Sequence, residues 1–214
     1  SEDAAALFKL GYGLTYENTT IVNQLSEDSG LENIDLASTD NFYSKGAPIA
    51  PWTLWLNSGE LSKQIGSFPT SVGGLIISKA DHEAQEDALR IKWTKSDNDQ
   101  VRVSAASPSD MSRQTNGAME LTFSAKSFKA SDAVVKISMG CNQGSSCDKT
   151  VDISIAANEW QEYRISLSCF ANLGVDMSKV STAFMVTAGE GVDIGLNNIR
   201  LASDIDATPG CDGK

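Results

Sequence analysis

Histidine is nearly missing from this chain: His82 stands alone among 214 residues. One histidine argues against a Ser-His-Asp triad. With no Cys-x-x-Cys pair beside it, it also argues against a zinc site. There is no Gly-x-Ser-x-Gly, no His-Glu-x-x-His and no glycine-rich phosphate loop. No apolar run approaches the ~20 residues that a membrane-spanning helix needs. Cations are scarce, with 17 Lys and Arg against 28 Asp and Glu and a net charge of -11. Phosphate backbones are bound by clustered Lys and Arg, so nucleic acid and anionic membrane surfaces are poor partners. Neutral sugars remain compatible with this charge. Glycoside hydrolysis needs two carboxylates around the scissile bond, but 28 acids make some pair inevitable. No catalytic residue is assigned.

What the chain does have is alternation. Trp52, Leu54 and Leu56 share one parity, against Thr53, Trp55 and Asn57. Leu89, Ile91 and Trp93 alternate with Arg90, Lys92 and Thr94, and Val101 and Val103 flank Arg102. Leu121, Phe123 and Ala125 oppose Glu120, Thr122 and Ser124; Val135, Ile137 and Met139 lead into Cys141; Val151, Ile153 and Ile155 follow Cys147. A period of two over many short runs means half-buried strands, and strands at this spacing predict an all-β sandwich or barrel. Near the end, Trp160 precedes Tyr163, Ile165, Leu167 and Cys169, read as one more strand, and Val175 to Val180 as a short helical turn. Val192, Ile194 and Leu196 share a parity that Ile199 and Leu201 resume one residue late, so a β-bulge is expected at Asn197-Asn198. The acidic run Asp81 to Asp87 reads as a solvated loop.

The four cysteines, Cys141, Cys147, Cys169 and Cys211, allow three pairings. The favoured one joins Cys141 to Cys147 around a small polar loop, and Cys169 to Cys211, pinning the tail. Four free thiols are the alternative. Two disulfides imply an oxidising compartment, secreted or periplasmic.

Sugars stack on flat rings, so the aromatic residues are the candidate binding residues. A core claims most large rings by default. Trp93 shares its parity with Leu89 and Ile91 and is expected inside; Trp160 is expected in the core or at an edge. Trp55 points opposite to Trp52 and is the better ligand-facing residue, with packing on another domain or burial as its other fates. Asp40 to Tyr43 and Pro48 to Trp52 read as aromatic loops that could reach a neighbouring site. The carbohydrate-binding candidates are therefore Trp55, Tyr43, Phe42 and Trp52.

Leu7 to Tyr16 reads Leu-Phe-Lys-Leu-Gly-Tyr-Gly-Leu-Thr-Tyr. Phe8, Gly11, Tyr12, Gly13, Leu14, Thr15 and Tyr16 match the segment that closes the second domain of family 3 glycoside hydrolases, while Lys9 and Leu10 depart from its usual Pro and Phe. The chain thus resembles the C-terminal piece of such an enzyme. Asn197, Asn198, Ile199 and Leu201 resemble the last strand of jelly-roll carbohydrate-binding modules. The resemblance implies a jelly-roll β-sandwich of galactose-binding-like type, carried by a subgroup of exo-β-glucanases. It also implies that nucleophile and acid lie in preceding domains, leaving this part an inactive accessory domain. Its partners would be β-glucan or gluco-oligosaccharide and the parent's catalytic domains. The expected organisation is a stub and linker over 1–20, the sandwich over 21–203 and a tail over 204–214. Related sandwiches often hold a structural calcium ion; Glu27, Asp28, Asp40, Asp193 and Asn198 could offer oxygens, at no diagnostic spacing.

Overall fold

The structure is a computed structural model, and it describes residues 40–95, 99–141, 147–203, 210, 211 and 213. The Leu7–Tyr16 stub, Glu27, Asp28 and the 142–146 loop lie outside these residues. The strands are β1 Asn41–Ser44, β2 Ala47–Pro48, β3 Thr53–Ser58, β4 Leu61–Ile65, β5 Thr70–Val72, β6 Leu75–Ala80 and β7 Ala88–Trp93. They continue as β8 Gln100–Ser109, β9 Glu120–Ser127, β10 Ala133–Gly140, β11 Lys149–Ile155, β12 Gln161–Ser166, β13 Val180–Ala188 and β14 Asp193–Ala202. Sheet A runs β12-β9-β14-β7-β6-β5, with the β1–β2 hairpin attached to β14; sheet B runs β11-β10-β13-β8-β3-β4. Every pairing between these strands is antiparallel. These elements belong to one compact unit, Thr39–Lys214. The architecture is the all-β, two-sheet sandwich that the alternation predicts.

Alternation decides which side chains enter the core. Leu54 and Leu56 from β3, Val101 and Val103 from β8, and Ile137 from β10 meet Leu89 and Ile91 from β7 and Phe123 from β9 in one buried cluster. Trp93 is 1% exposed, and its indole N–H donates to the Asp99 carbonyl (2.9 Å). Such sheet-on-sheet burial, at about 25 cal/mol per Å² of apolar surface, is the main stabilising term.

The bulge near the end of β14 shapes sheet A. Asn198 has φ +50°, and the β14–β9 register slips between Asn197 and Arg200. Before the slip, β14 pairs with β7 through Leu196; after it, the same edge pairs with β1 at Ile199 and Arg200. This corrects the reading of Asp40 to Tyr43 as a loop: the segment is mostly a strand, filling the edge that β7 leaves. The Pro48 to Trp52 stretch is likewise tied down, with β2 paired to β1 and Trp52 N–H donating to the Ile49 carbonyl (2.9 Å).

The run through Leu167 and Cys169 also differs from the expected strand. A short helix α1, Ser112–Asn116, lies between β8 and β9. Later in the chain, β12 stops at Ser166, whose hydroxyl accepts from Ser168 N–H and caps helix α2, Leu167–Leu173. Gly174 ends this second helix at φ +107°, a left-handed cap that glycine adopts without strain. A 3-10 turn over Met177–Lys179 then leads into β13, within the helical turn expected there.

Cys141 pairs with Cys147 (Cα–Cα 5.6 Å) and Cys169 with Cys211 (Cα–Cα 5.7 Å). The second bond holds the end of the chain beside β12, where Ser166 N–H donates to the Gly210 carbonyl (3.1 Å).

Candidate functional site

Trp55 is half-buried on the outward face of sheet B, as its parity requires. Its indole N–H donates to Thr53 Oγ1 (2.8 Å), and that hydroxyl donates in turn to the Ser104 carbonyl (2.8 Å). The ring is thereby fixed on its strand rather than free to swing. Across the sheet, Trp55 pairs with Arg102, Arg102 with Met185, Met185 with Ser138, and Ser138 with Thr150. Four inter-strand steps make this row about 19 Å long.

Arg102 is the centre of the face. It points away from the core yet is only 7% exposed. Its Nη2 donates to Thr182 Oγ1 (3.0 Å) and lies 3.6 Å from Asp148 Oδ2. With the Asn57 amide oriented to satisfy both of its ends, the amide oxygen accepts from Arg102 Nη1 (3.3 Å) and the nitrogen donates to Ser62 Oγ (2.8 Å). Asp148 lies over Gly140, where a Cβ would come 1.9 Å from its Oδ1. Burial pushes the Asp148 carboxyl above the usual carboxylate range, and the Arg102 charge only partly offsets this. Arg102 Nε and Asp148 Oδ1 are buried and without hydrogen-bond partners among the described residues. The face thus sets a flat, half-buried indole beside a charged pair, in a row that Met185, Ser138 and Thr150 continue.

The other three predicted binding residues are elsewhere. Phe42 and Tyr43 are fully buried on β1, and Trp52 is 3% exposed, edge-on to Phe42 at 5.0 Å between ring centres. A ring enclosed on both faces offers nothing for a sugar to stack on, so Phe42, Tyr43 and Trp52 are core residues. Burial also raises the Tyr43 phenol pKa, and its hydroxyl has no partner among the described residues. Of the expected calcium oxygens, those of Glu27 and Asp28 lie outside the described residues. Asp193 is held in a two-bond pair by Arg90 (2.8 Å each) with Lys92 at 3.6 Å, a setting that repels a cation. Among the described residues no group of three or more His, Cys, Asp or Glu side chains is placed to hold a metal.

Arg102 and Asp148 escaped the sequence reading. The parity of the Val101–Val103 strand turns Arg102 outward, but only the pairing of β3 with β8 puts it beside Trp55. Asp148 carried no signal beyond following Cys147.

A family model for galactose-binding domain-like domains, Exop_C, matches residues 50–201. The chain belongs to this family. In fold it is similar to the extra C-terminal domain of an exo-1,3/1,4-β-glucanase from a Pseudoalteromonas species, at 12% identity and TM-score 0.62, covering 82% of this chain and 99% of that domain. Against the structure of exo-1,3/1,4-β-glucanase from the same organism the identity is 12% and the TM-score 0.58; 80% of this chain is covered but only 21% of that one. This chain therefore spans about a fifth of that enzyme's length. A family 30 carbohydrate-binding module of a Clostridium thermocellum cellulosomal cellulase is similar too, at 15% identity and TM-score 0.54, with 78% and 98% covered. No curated protein matches the chain.

Proposed function

We propose that this domain is a non-catalytic accessory domain of a longer, secreted glycoside hydrolase, and that it binds a β-glucan segment along the outward face of sheet B. The observation that carries the reading is the placement of Trp55 beside the buried Arg102–Asp148 pair. The parent is an exo-β-glucanase or β-glucosidase of family 3. The Leu7–Tyr16 motif supports that, as does the shared fold with the extra domain of the Pseudoalteromonas enzyme. In this organisation residues 1–20 are the stub and linker, 21–203 the sandwich and 204–214 the tail. The two disulfides support an extracellular setting.

Calorimetric titration with β-1,3- and β-1,4-gluco-oligosaccharides tests this. Binding in the micromolar to millimolar range, about 4–8 kcal/mol, that Trp55→Ala abolishes while the thermal midpoint holds supports the reading. No heat at millimolar ligand, or binding indifferent to Trp55→Ala, overturns it. The domain then serves only to brace the catalytic domains, and removing it destabilises the parent without changing its substrate preference.

A further inference from the structure

The opposite face of the sandwich carries a second aromatic platform. At the centre of sheet A, β14 presents the bare backbone of Gly195. A Cβ there would lie 2.4 Å from Trp160 Cη2 and 3.2 Å from Phe128 Cε2, so both rings rest on this glycine. The His82 ring meets Trp160 edge-on at 4.6 Å and fixes the indole from the side. Gly195 pairs with Arg90 on β7 and with Lys126 on β9, so two cations flank it in one row. The Arg90 guanidinium lies 4.2 Å from the Phe128 ring centre; Lys126 Nζ lies 4.6 Å from Phe128 and 5.3 Å from Trp160.

The local charge opposes that of the molecule. Arg90 is neutralised by Asp193, which Lys92 shares at 3.6 Å. Lys126 has no carboxylate partner among the described residues, so three cations meet Asp193 within the sheet and Glu83 at the rim, 3.9 Å from the His82 ring, in a protein of net charge -11. A neutral sugar has no use for this surplus. A flexible acidic peptide has no planar face to match the half-buried indole. A pyranose bearing an acid group uses both, with its apolar face on the ring and its anion between the ammonium groups.

We infer that the outward face of sheet A, at Trp160, Lys126 and Lys92, is a second saccharide site, separate from the Trp55 face and selective for anionic sugars. Its recognition group is a ring-borne carboxylate or sulfate.

The test is titration of the 214-residue chain with an oligouronide, a sulfated oligosaccharide, a neutral gluco-oligosaccharide and oligoglutamate. At least one anionic sugar is expected to bind more tightly than either control. The better of the two identifies the anion. The double variant Lys126→Gln, Lys92→Gln should weaken that binding at least about tenfold, equivalent to about 1.4 kcal/mol, with an unchanged unfolding midpoint. Trp55→Ala should leave it intact, which separates this site from the one on sheet B. The inference is overturned if neither anionic sugar binds, if oligoglutamate binds as well as they do, if the double variant binds like the parent chain, or if Trp55→Ala abolishes the binding.

Discussion

The two outward faces of this sandwich are built by opposite means around inward faces that are both apolar. Inside, sheet A brings most of the buried rings, Phe42, Tyr43, Trp93, Phe123 and Tyr163, while sheet B packs against them mainly with Val, Leu and Ile. Outside, sheet B sets one indole beside a buried Arg–Asp pair and small hydroxyls. Sheet A leaves a glycine bare, lays two rings on it and surrounds them with cations. The inner faces specify a fold shared at 12% identity. The outer faces are where the two sheets differ most in the side chains they present.

The largest effect should come from the part the two faces share. Trp93→Ala removes a ring 1% exposed and is expected to cost about 3–5 kcal/mol. Calorimetry should show the melting midpoint falling by roughly 10 °C or more, with ligand binding on both faces lost above it. A drop of only a degree or two would mean that the sheets do not depend on this contact.

Gly195→Ala should separate the faces. The new methyl must push Trp160 or the strand aside, at an expected cost of about 1–3 kcal/mol. Fluorescence should report a displaced Trp160, while affinity at the Trp55 face stays as it was. Equal damage to both would show the faces to be coupled through the core.

The smallest effect is a difference in sign with pH. Burial raises the Asp148 carboxyl pKa on the sheet B side, so between the unfolded and folded pKa values the folded form keeps a proton that the unfolded chain releases. Stability from this group is full below the unfolded pKa and falls as pH rises towards the folded one. Asp87, in the β6–β7 loop beside sheet A, behaves oppositely. Burial alone would raise its pKa, but N–H groups of Ala84, His82 and Glu83 donate to it and bring it below the usual range. Its contribution is present above the unfolded pKa and disappears as pH falls through the folded one. Because Asn mimics the protonated acid, unfolding midpoints of Asp148→Asn and Asp87→Asn, followed from about pH 2 to 7, should lie nearest the parent in acid and depart from it in opposite directions as pH rises, Asp148→Asn upwards and Asp87→Asn downwards. Parallel curves would contradict the assignment.

Period-two patterns revealed the strands, the core parity of Trp93, the outward turn of Trp55 and the bulge at Asn197-Asn198, because these depend on neighbours along the chain. The parity of Trp52 points inward too, against its place among the binding candidates. What stayed hidden depends on partners far away. Phe42 and Tyr43 look like a loop until β14 offers them an edge. Arg102 looks like a solvated charge until β3 and β13 flank it. The helix after Ser166 was hidden because Leu167 and Cys169 continue the strand parity of Ile165.

The divided edge of β14 has a consequence for how the protein is made. β14 lies between β9 and β7 and also carries β1, so three earlier segments wait for one late strand. As the chain leaves the ribosome, sheet B can assemble all six of its strands before β14 emerges, while sheet A remains three separate groups of strands with open edges, β12-β9, β7-β6-β5 and β1-β2. Domains dominated by such distant pairings fold slowly. During that interval sheet A, rather than sheet B, is the half that needs protection from aggregation.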